Sequence, residues 1–247
     1  MDLKKHVTIL GVPFVYITKK QFLETVVYRS VEKQEKQMIV TANPEIVMYA
    51  QEDSNYKEIV SKADYVVADG IGIIIASKII KKTLPERIPG FELVEEMLAY
   101  ADKQKKSIYL FGAKESVLYK TVDNIKNSYP NLTIAGFHHG YIDSFDPTVI
   151  NEVEETQPDF ILVALGFPKQ EEWIYENKSK LNKGIWVGVG GSFDVLAGEV
   201  KRAPKLWQKL YLEWFYRLLA DPTRFKRVIK LPLFLIHVLR GKFSRKG

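Results

Sequence analysis

The chain has 247 residues, 46% hydrophobic and 27% charged, enough to bury a sizeable core and typical of a globular protein. It has no cysteine, which excludes disulfides and thiolate metal sites and fits a reducing compartment. The net charge of +6 is unevenly placed: residues 201–247 carry +11 and residues 1–200 carry −5, so the basic end points to a polyanionic partner such as nucleic acid, anionic lipid or a phosphate-bearing ligand.

In chain order, "MDLKKHVTILGVPF" reads as a first strand rather than a signal peptide, because its apolar stretch is short and interrupted by Pro13. "MIVTA" (38–42) is an apolar strand ending at Asn43-Pro44, and "EIVMYAQED" after it has helical spacing. "YVVAD" (65–69) is followed by Gly70 and the helical "IGIIIASKIIKK". The alternation continues through "SIYLFGA" (107–113) with a helix from Lys114, "NLTIAGF" (131–137), "DFILVALG" (159–166) with a helix from Pro168, and "GIWVGVGG" (184–191). Strands that are apolar on both faces and alternate with helices predict a doubly wound α/β fold, with a mostly parallel sheet covered on both sides.

After Gly198 strand periodicity stops, which divides the chain into an α/β domain over 1–198 and a basic, aromatic-rich helical appendage over 199–247. The appendage reads as a helix from Pro204 to Ala220, a second starting at Asp221-Pro222, and a kink or break at Leu231-Pro232. The longest apolar run, "LPLFLIHVL", is about half of the ~18–20 residues that a bilayer span needs, so the chain is not expected to cross a membrane.

Ligands of open parallel sheets collect at the carboxyl ends of the strands. There this sequence places Thr41 and Asn43; Asp69, Gly70 and Gly72; Gly112; Gln170 and Glu171; and Gly190, Gly191 and Asp194. Glycines allow a ligand close to the backbone, and helix N-termini offer N–H donors to phosphate. "GVGGSF" lacks the third glycine of a dinucleotide fingerprint, and no P-loop occurs, which disfavours an oxidoreductase or P-loop reading. There is no D-x-D pair to hold a divalent ion on a diphosphate, and His138-His139 would point to opposite faces of a strand. No metal and no other cofactor is therefore expected, and phosphate would fall to arginine, whose planar fork binds it bidentately. The body offers few such candidates and the appendage many.

Together, "TANPEIV", "ADGIGI", "FGAKESV", "LGFPKQEEWI", "GVGGSFDVLAGEVKRAP" and "LEWFYRLLADPTRFKR" resemble the WecG/TagA/CpsF glycosyltransferases, most closely the TagA-like members of wall teichoic acid synthesis. The resemblance runs from about residue 7 to residue 230. It implies inverting, metal-independent transfer of N-acetylmannosamine from a UDP-sugar donor to N-acetylglucosamine on undecaprenyl diphosphate, at the inner face of the cell membrane. It also implies Asp69 as catalytic base, Thr41 in the pocket, and Arg217, Arg224 and Arg227 as the family's C-terminal arginines, which we expect to close over the diphosphate. Interfacial aromatics (Trp207, Tyr211, Trp214, Phe215 and Tyr216) and the basic excess suit an anionic membrane surface, and no nucleic acid is expected as a partner. Self-association through an apolar face of the body is left open. So are two alternatives: another donor sugar in the same family (N-acetylmannosaminuronate or a hexose), and a non-catalytic basic module that binds membrane or nucleic acid.

Overall fold

The first apolar stretch forms a hairpin rather than one strand. β1 (His6–Ile9) and β2 (Val12–Val15) pair antiparallel with Ile9 opposite Val12, leaving Leu10 and Gly11 as the two-residue loop. Both loop residues have positive φ (47° and 83°), the backbone that matches the twist of a tight hairpin. Pro13, which has no N–H to donate, is tolerated because this two-stranded ribbon, though packed against the strand at Tyr65–Ala68, is not hydrogen-bonded to the main sheet. The computed structural model describes residues 5–142, 146–221, 225 and 229–244, with residues 217, 220 and 242–244 described by their backbone alone.

Six strands make the parallel sheet: β3 (Lys36–Ala42), β4 (Tyr65–Ala68), β5 (Ser107–Gly112), β6 (Thr133–His138), β7 (Phe160–Ala164) and β8 (Gly184–Gly188). Their spatial order is β4-β3-β8-β7-β5-β6. Alternate residues feed two cores. Met38, Val40, Tyr109, Phe111, Ile161, Val163 and Trp186 face one, and Ile39, Ile108, Leu110, Phe160, Leu162, Ile185 and Val187 face the other. These side chains are almost wholly buried, so burial on both faces, and not amphipathic alternation, is what made the strands read as continuous apolar runs.

The helices divide between the faces. A helical stretch runs from α1 (Lys19–Phe22) through a π-helical segment (Leu23–Tyr28) into α2 (Arg29–Glu32). Then come α3 (Pro44–Glu52), α4 (Ser54–Ser61), α5 (Ile71–Ile79), α6 (Gly90–Gln104), α7 (Glu115–Ser128), α8 (Thr148–Thr156), α9 (Lys169–Asn177) and α10 (Ser192–Leu196). Helices α3, α4, α5, α8 and α9 cover the Trp186 face, while the π-helical segment, α6, α7 and α10 cover the Leu162 face. Strand β8 sits between β3 and β7, yet the chain leaves it for the Leu162 face while its neighbours lead to the other. Chains diverging this way open a crevice at the carboxyl edge of the sheet.

The C-terminal region differs from the sequence expectation at two points. The helix predicted over Pro204–Ala220 is two helices, α11 (Lys205–Lys209) and α12 (Glu213–Ala220), broken where Tyr211 takes a positive φ of 60°. The kink or break expected at Leu231-Pro232 falls just before them instead, because α13 (Lys230–Ser244) begins at Lys230 and puts Pro232 in its first turn, where no N–H partner is lost. Helix α13 packs against α3 and α5, with Phe234 and Val238 fully buried in the Trp186-face core. Gly72 leaves room for it: a Cβ there would lie 2.5 Å from Leu231 Cδ1 and 2.6 Å from Pro44 Cγ.

Candidate active site

A cleft of about 1010 Å³ lies along the carboxyl ends of β3, β4, β5, β7 and β8. Its floor is assembled by backbone pairing beyond the regular strands. The Asp69 N–H donates to the Ala42 carbonyl (2.9 Å), which sets Asp69 beside the end of β3. After α5 the chain returns to the sheet, and the Ile88 N–H donates to the Ala68 carbonyl (2.8 Å), delivering Arg87, Pro89 and Gly90 to the cleft. A Cβ on Gly90 would stand 3.0 Å from Thr41 Oγ1 and 3.5 Å from Asp69 Oδ2. The hydroxyl and the carboxylate therefore border one small space that only the missing side chain of Gly90 keeps open. Next to them Asn43 caps α3, its Oδ1 accepting from the Ile46 N–H at 3.0 Å, with Pro44 pre-set at the first helical position.

The opposite wall comes from the loops after β5, β7 and β8. Lys114 and Ser116 lie at the start of α7, and Gln170 reaches up from α9. Gln170 Oε1 accepts from the Gly190 N–H at 3.0 Å, tying α9 to the Gly190-Gly191 turn. Behind Gln170, Glu171 is 1% exposed and takes two hydrogen bonds, from Gln170 Nε2 (2.7 Å) and from the Tyr56 hydroxyl (3.1 Å). Burial pushes its carboxyl up to about 7 despite those two side-chain donors and its own backbone N–H. Burial, followed by Glu171 beside it, raises the Tyr56 hydroxyl as well, so it stays a donor throughout the physiological range.

The mouth carries ion pairs that link body and tail. Arg202 donates to Glu95 (2.9 Å) and Glu92 (3.0 Å), lies 3.7 Å from Glu213, and covers the Phe91 ring at 5.0 Å. Arg87 donates to Glu213 (3.3 Å) and lies over the Tyr211 ring at 5.6 Å. Lys19 donates to Glu92 at 2.8 Å. Burial works against ionisation of Glu92, but Lys19, then Arg202 and Arg87, hold its carboxyl below the usual range. At Glu95 burial prevails over Arg202, and its carboxyl titrates above that range. Through Glu213, Tyr211 and Trp214 the α12 end of the chain is drawn over the cleft.

A hydroxyl and a carboxylate at a strand-end floor, with arginines at the mouth, suit proton removal from an alcohol beside an anionic group. A sequence model of the glycosyl transferase WecG/TagA/CpsF family matches residues 7–247. The chain belongs to that family. It is 41% identical over 237 residues to proteins of Staphylococcus aureus strains NCTC 8325 / PS 47, COL and MSSA476, covering 96% of this chain and 93% of each relative. All three are named N-acetylglucosaminyldiphosphoundecaprenol N-acetyl-beta-D-mannosaminyltransferase.

In this WecG/TagA/CpsF glycosyltransferase the cleft brings together Thr41, Asn43, Asp69, Gln170, Gly190, Gly191 and Asp194 among the predicted site residues. Four others lie off its wall. Gly70 (φ +96°) makes the turn behind Asp69, and Gly72 accommodates α13. Gly112 (φ +122°) lets β5 approach β7, since a Cβ there would meet the Ala164 carbonyl at 2.4 Å. Glu171 is buried behind Gln170. Arg224 and Arg227 lie outside the described residues, as does the side chain of Arg217, whose backbone belongs to α12. The sequence reading missed Arg87, Arg202 and Lys114 as cleft cations. Arg202 lies within "GEVKRAP" and Lys114 just beyond the end of β5, but Arg87 arrives on a segment with no periodicity. No helix among the described residues is long and apolar enough to cross a membrane.

Proposed function

We propose that the chain transfers N-acetylmannosamine from a UDP-linked donor to N-acetylglucosamine on undecaprenyl diphosphate, inverting the donor's anomeric carbon. The name of the 41% identical relatives supports this reading. The observation that carries it is the space over Gly90, bordered by the Thr41 hydroxyl and the Asp69 carboxylate. An acceptor sugar hydroxyl is a weak nucleophile at neutral pH. In this reading Asp69 takes its proton as the new bond to the anomeric carbon forms, and Thr41 holds the reacting sugar in line. Negative charge then builds on the departing UDP. Arg87 at the mouth and Arg217, Arg224 and Arg227 of the tail stabilise it, with Asn43, Gln170, Gly190, Gly191 and Asp194 binding the substrates.

The acceptor carries a lipid, and the tail suits a lipid surface. Leu206, Leu210, Phe215, Leu219, Ile229, Leu233 and Ile236 are exposed on it. They are interspersed with Lys201, Lys205, Lys209, Lys230 and Arg240. Each such cation near an anionic leaflet contributes about 1 kcal/mol. In this reading residues 199–247 bring the 1–198 catalytic body to the inner face of the cell membrane. Trp207 packs on Phe215 (6.1 Å) and Tyr216 (5.7 Å), so part of the aromatic set serves the tail's own packing.

The test is UDP release from a panel of UDP-sugars with a short-chain lipid-diphosphate N-acetylglucosamine acceptor. UDP-N-acetylmannosamine is expected to be turned over at least about tenfold faster than the others, one missing polar contact being worth that much. Faster turnover of a uronate or hexose donor overturns the donor assignment.

A further inference from the structure

The pair Glu171–Tyr56 lies outside the cleft and takes no part in the proposed chemistry, yet Glu171 is 1% exposed, and a carboxyl buried that far is costly unless it is hydrogen-bonded. Its hydrogen bonds lead in one direction. The Tyr56 hydroxyl on α4 donates to Glu171 Oε2, Glu171 Oε1 accepts from Gln170 Nε2, and Gln170 Oε1 accepts from the Gly190 N–H at the cleft wall. The space is shaped for this chain of bonds: a Cβ on Gly188 would lie 2.6 Å from Gln170 Nε2 and 2.9 Å from Glu171 Oε1.

We propose that Glu171, clamped by Tyr56, is a positioning residue that fixes which way the Gln170 amide faces and thereby holds the Gly190-Gly191 turn in its substrate-ready shape. The chemistry is directional. A side-chain amide has a donor end and an acceptor end, and unheld it turns over easily. An ionised carboxyl behind it only accepts, so it draws the NH2 end inward and leaves the carbonyl end for Gly190. Gly190 needs this restraint because its φ of +48° and the glycine after it give the turn little stiffness of its own. Glu172 also acts on Glu171, and its repulsion adds to burial in favouring the neutral form. The neutral acid presents its carbonyl oxygen to Gln170, so the arrangement persists.

The inference rests on the proposed function only for its ligand measurement. The primary experiment therefore needs no ligand: amide hydrogen exchange of the full chain, read at Gly190. In Glu171→Ala and Gln170→Ala, Gly190 is expected to exchange roughly tenfold faster or more, the scale of one buried hydrogen bond lost, while amides of β7 and β8 keep their rates. Glu171→Gln, which still offers an acceptor to Gln170, restores protection. Tyr56→Phe gives a smaller selective increase and decides the matter if Glu171→Ala does not fold. Binding of UDP should weaken about tenfold in Glu171→Ala and no further in the double variant with Tyr56→Phe, because Tyr56 acts only through Glu171. Unchanged Gly190 exchange, or an increase spread evenly over the sheet, overturns the proposal. If the unsubstituted chain does not bind UDP, the functional reading fails while the exchange result still decides this one.

Discussion

Gly90 sits where any side chain would intrude between Thr41 and Asp69, and it is also the first residue of α6, where alanine is a better helix former. The two effects separate cleanly. Gly90→Ala should leave the melting temperature unchanged or slightly raised, while its Cβ, 3.0 Å from Thr41 Oγ1, forces that side chain aside and cuts turnover by about a hundredfold. Parallel melting and UDP-release measurements check this, and full turnover would show that the space is not used. Glu171 gives a second test. Its folded carboxyl is raised from 4.5 to about 7, so the protonated form stabilises the fold, and that contribution is lost as pH rises across this interval. The loss amounts to about 3 kcal/mol. Replacing Glu171 by Gln should therefore improve melting at about pH 8 relative to about pH 5 by at least about 5 °C compared with the unsubstituted chain. At this scale much of the cleft lining was legible. Thr41, Asn43 and Asp69 follow apolar strands directly, and the end of a parallel strand is where a ligand sits. Glu171 was read together with Gln170 because they are adjacent, but neighbours on a helix point about 100° apart. One faces the cleft and the next faces the core.

At the scale of elements, the ion-pair cluster holds α12 in place. Arg87 and Glu213 are 12% and 13% exposed, so this pair is not a surface contact that salt would screen away. Glu213→Gln leaves Arg87 and Arg202 facing each other without that carboxylate. Exchange of the 213–220 amides is expected to speed up roughly tenfold or more, with α6 and the sheet unaffected. Unchanged exchange would mean that aromatic packing alone docks α12. The sequence hid this arrangement for a physical reason. Arg87 reaches the cleft because one hydrogen bond, Ile88 N–H to the Ala68 carbonyl, draws an aperiodic segment alongside β4. Pairing between distant backbone groups leaves no local pattern to read. The hairpin of β1 and β2 was hidden in the same way, since one apolar run with Pro13 inside it gives no sign that the chain reverses at Leu10-Gly11.

On the scale of the whole molecule, the alternation of apolar runs and helical spacing was enough to read a doubly wound sheet, because burial on both faces leaves its mark on the inner strands, though not on the half-exposed edge strand β6. The strand order was not legible, since it depends on which crossover each helix makes. The tail is also two things at once. Residues 199–221 lie at the cleft mouth through Arg202, Tyr211, Glu213 and Trp214, whereas α13 buries Phe234 and Val238 in the body's own core. Residues 201–247 carry +11 against −5 for residues 1–200, and it is this basic excess that the proposed function assigns to an anionic surface. The floor of that cleft carries the proposed chemistry. The decisive measurement is the turnover of Asp69→Asn with UDP-N-acetylmannosamine and the lipid-diphosphate acceptor, alongside its affinity for UDP. The expected result is a loss of ~10²–10⁴ in kcat with UDP affinity retained, the range a positioned general base supplies. Turnover within about threefold of the unsubstituted chain, well short of that range, would contradict it.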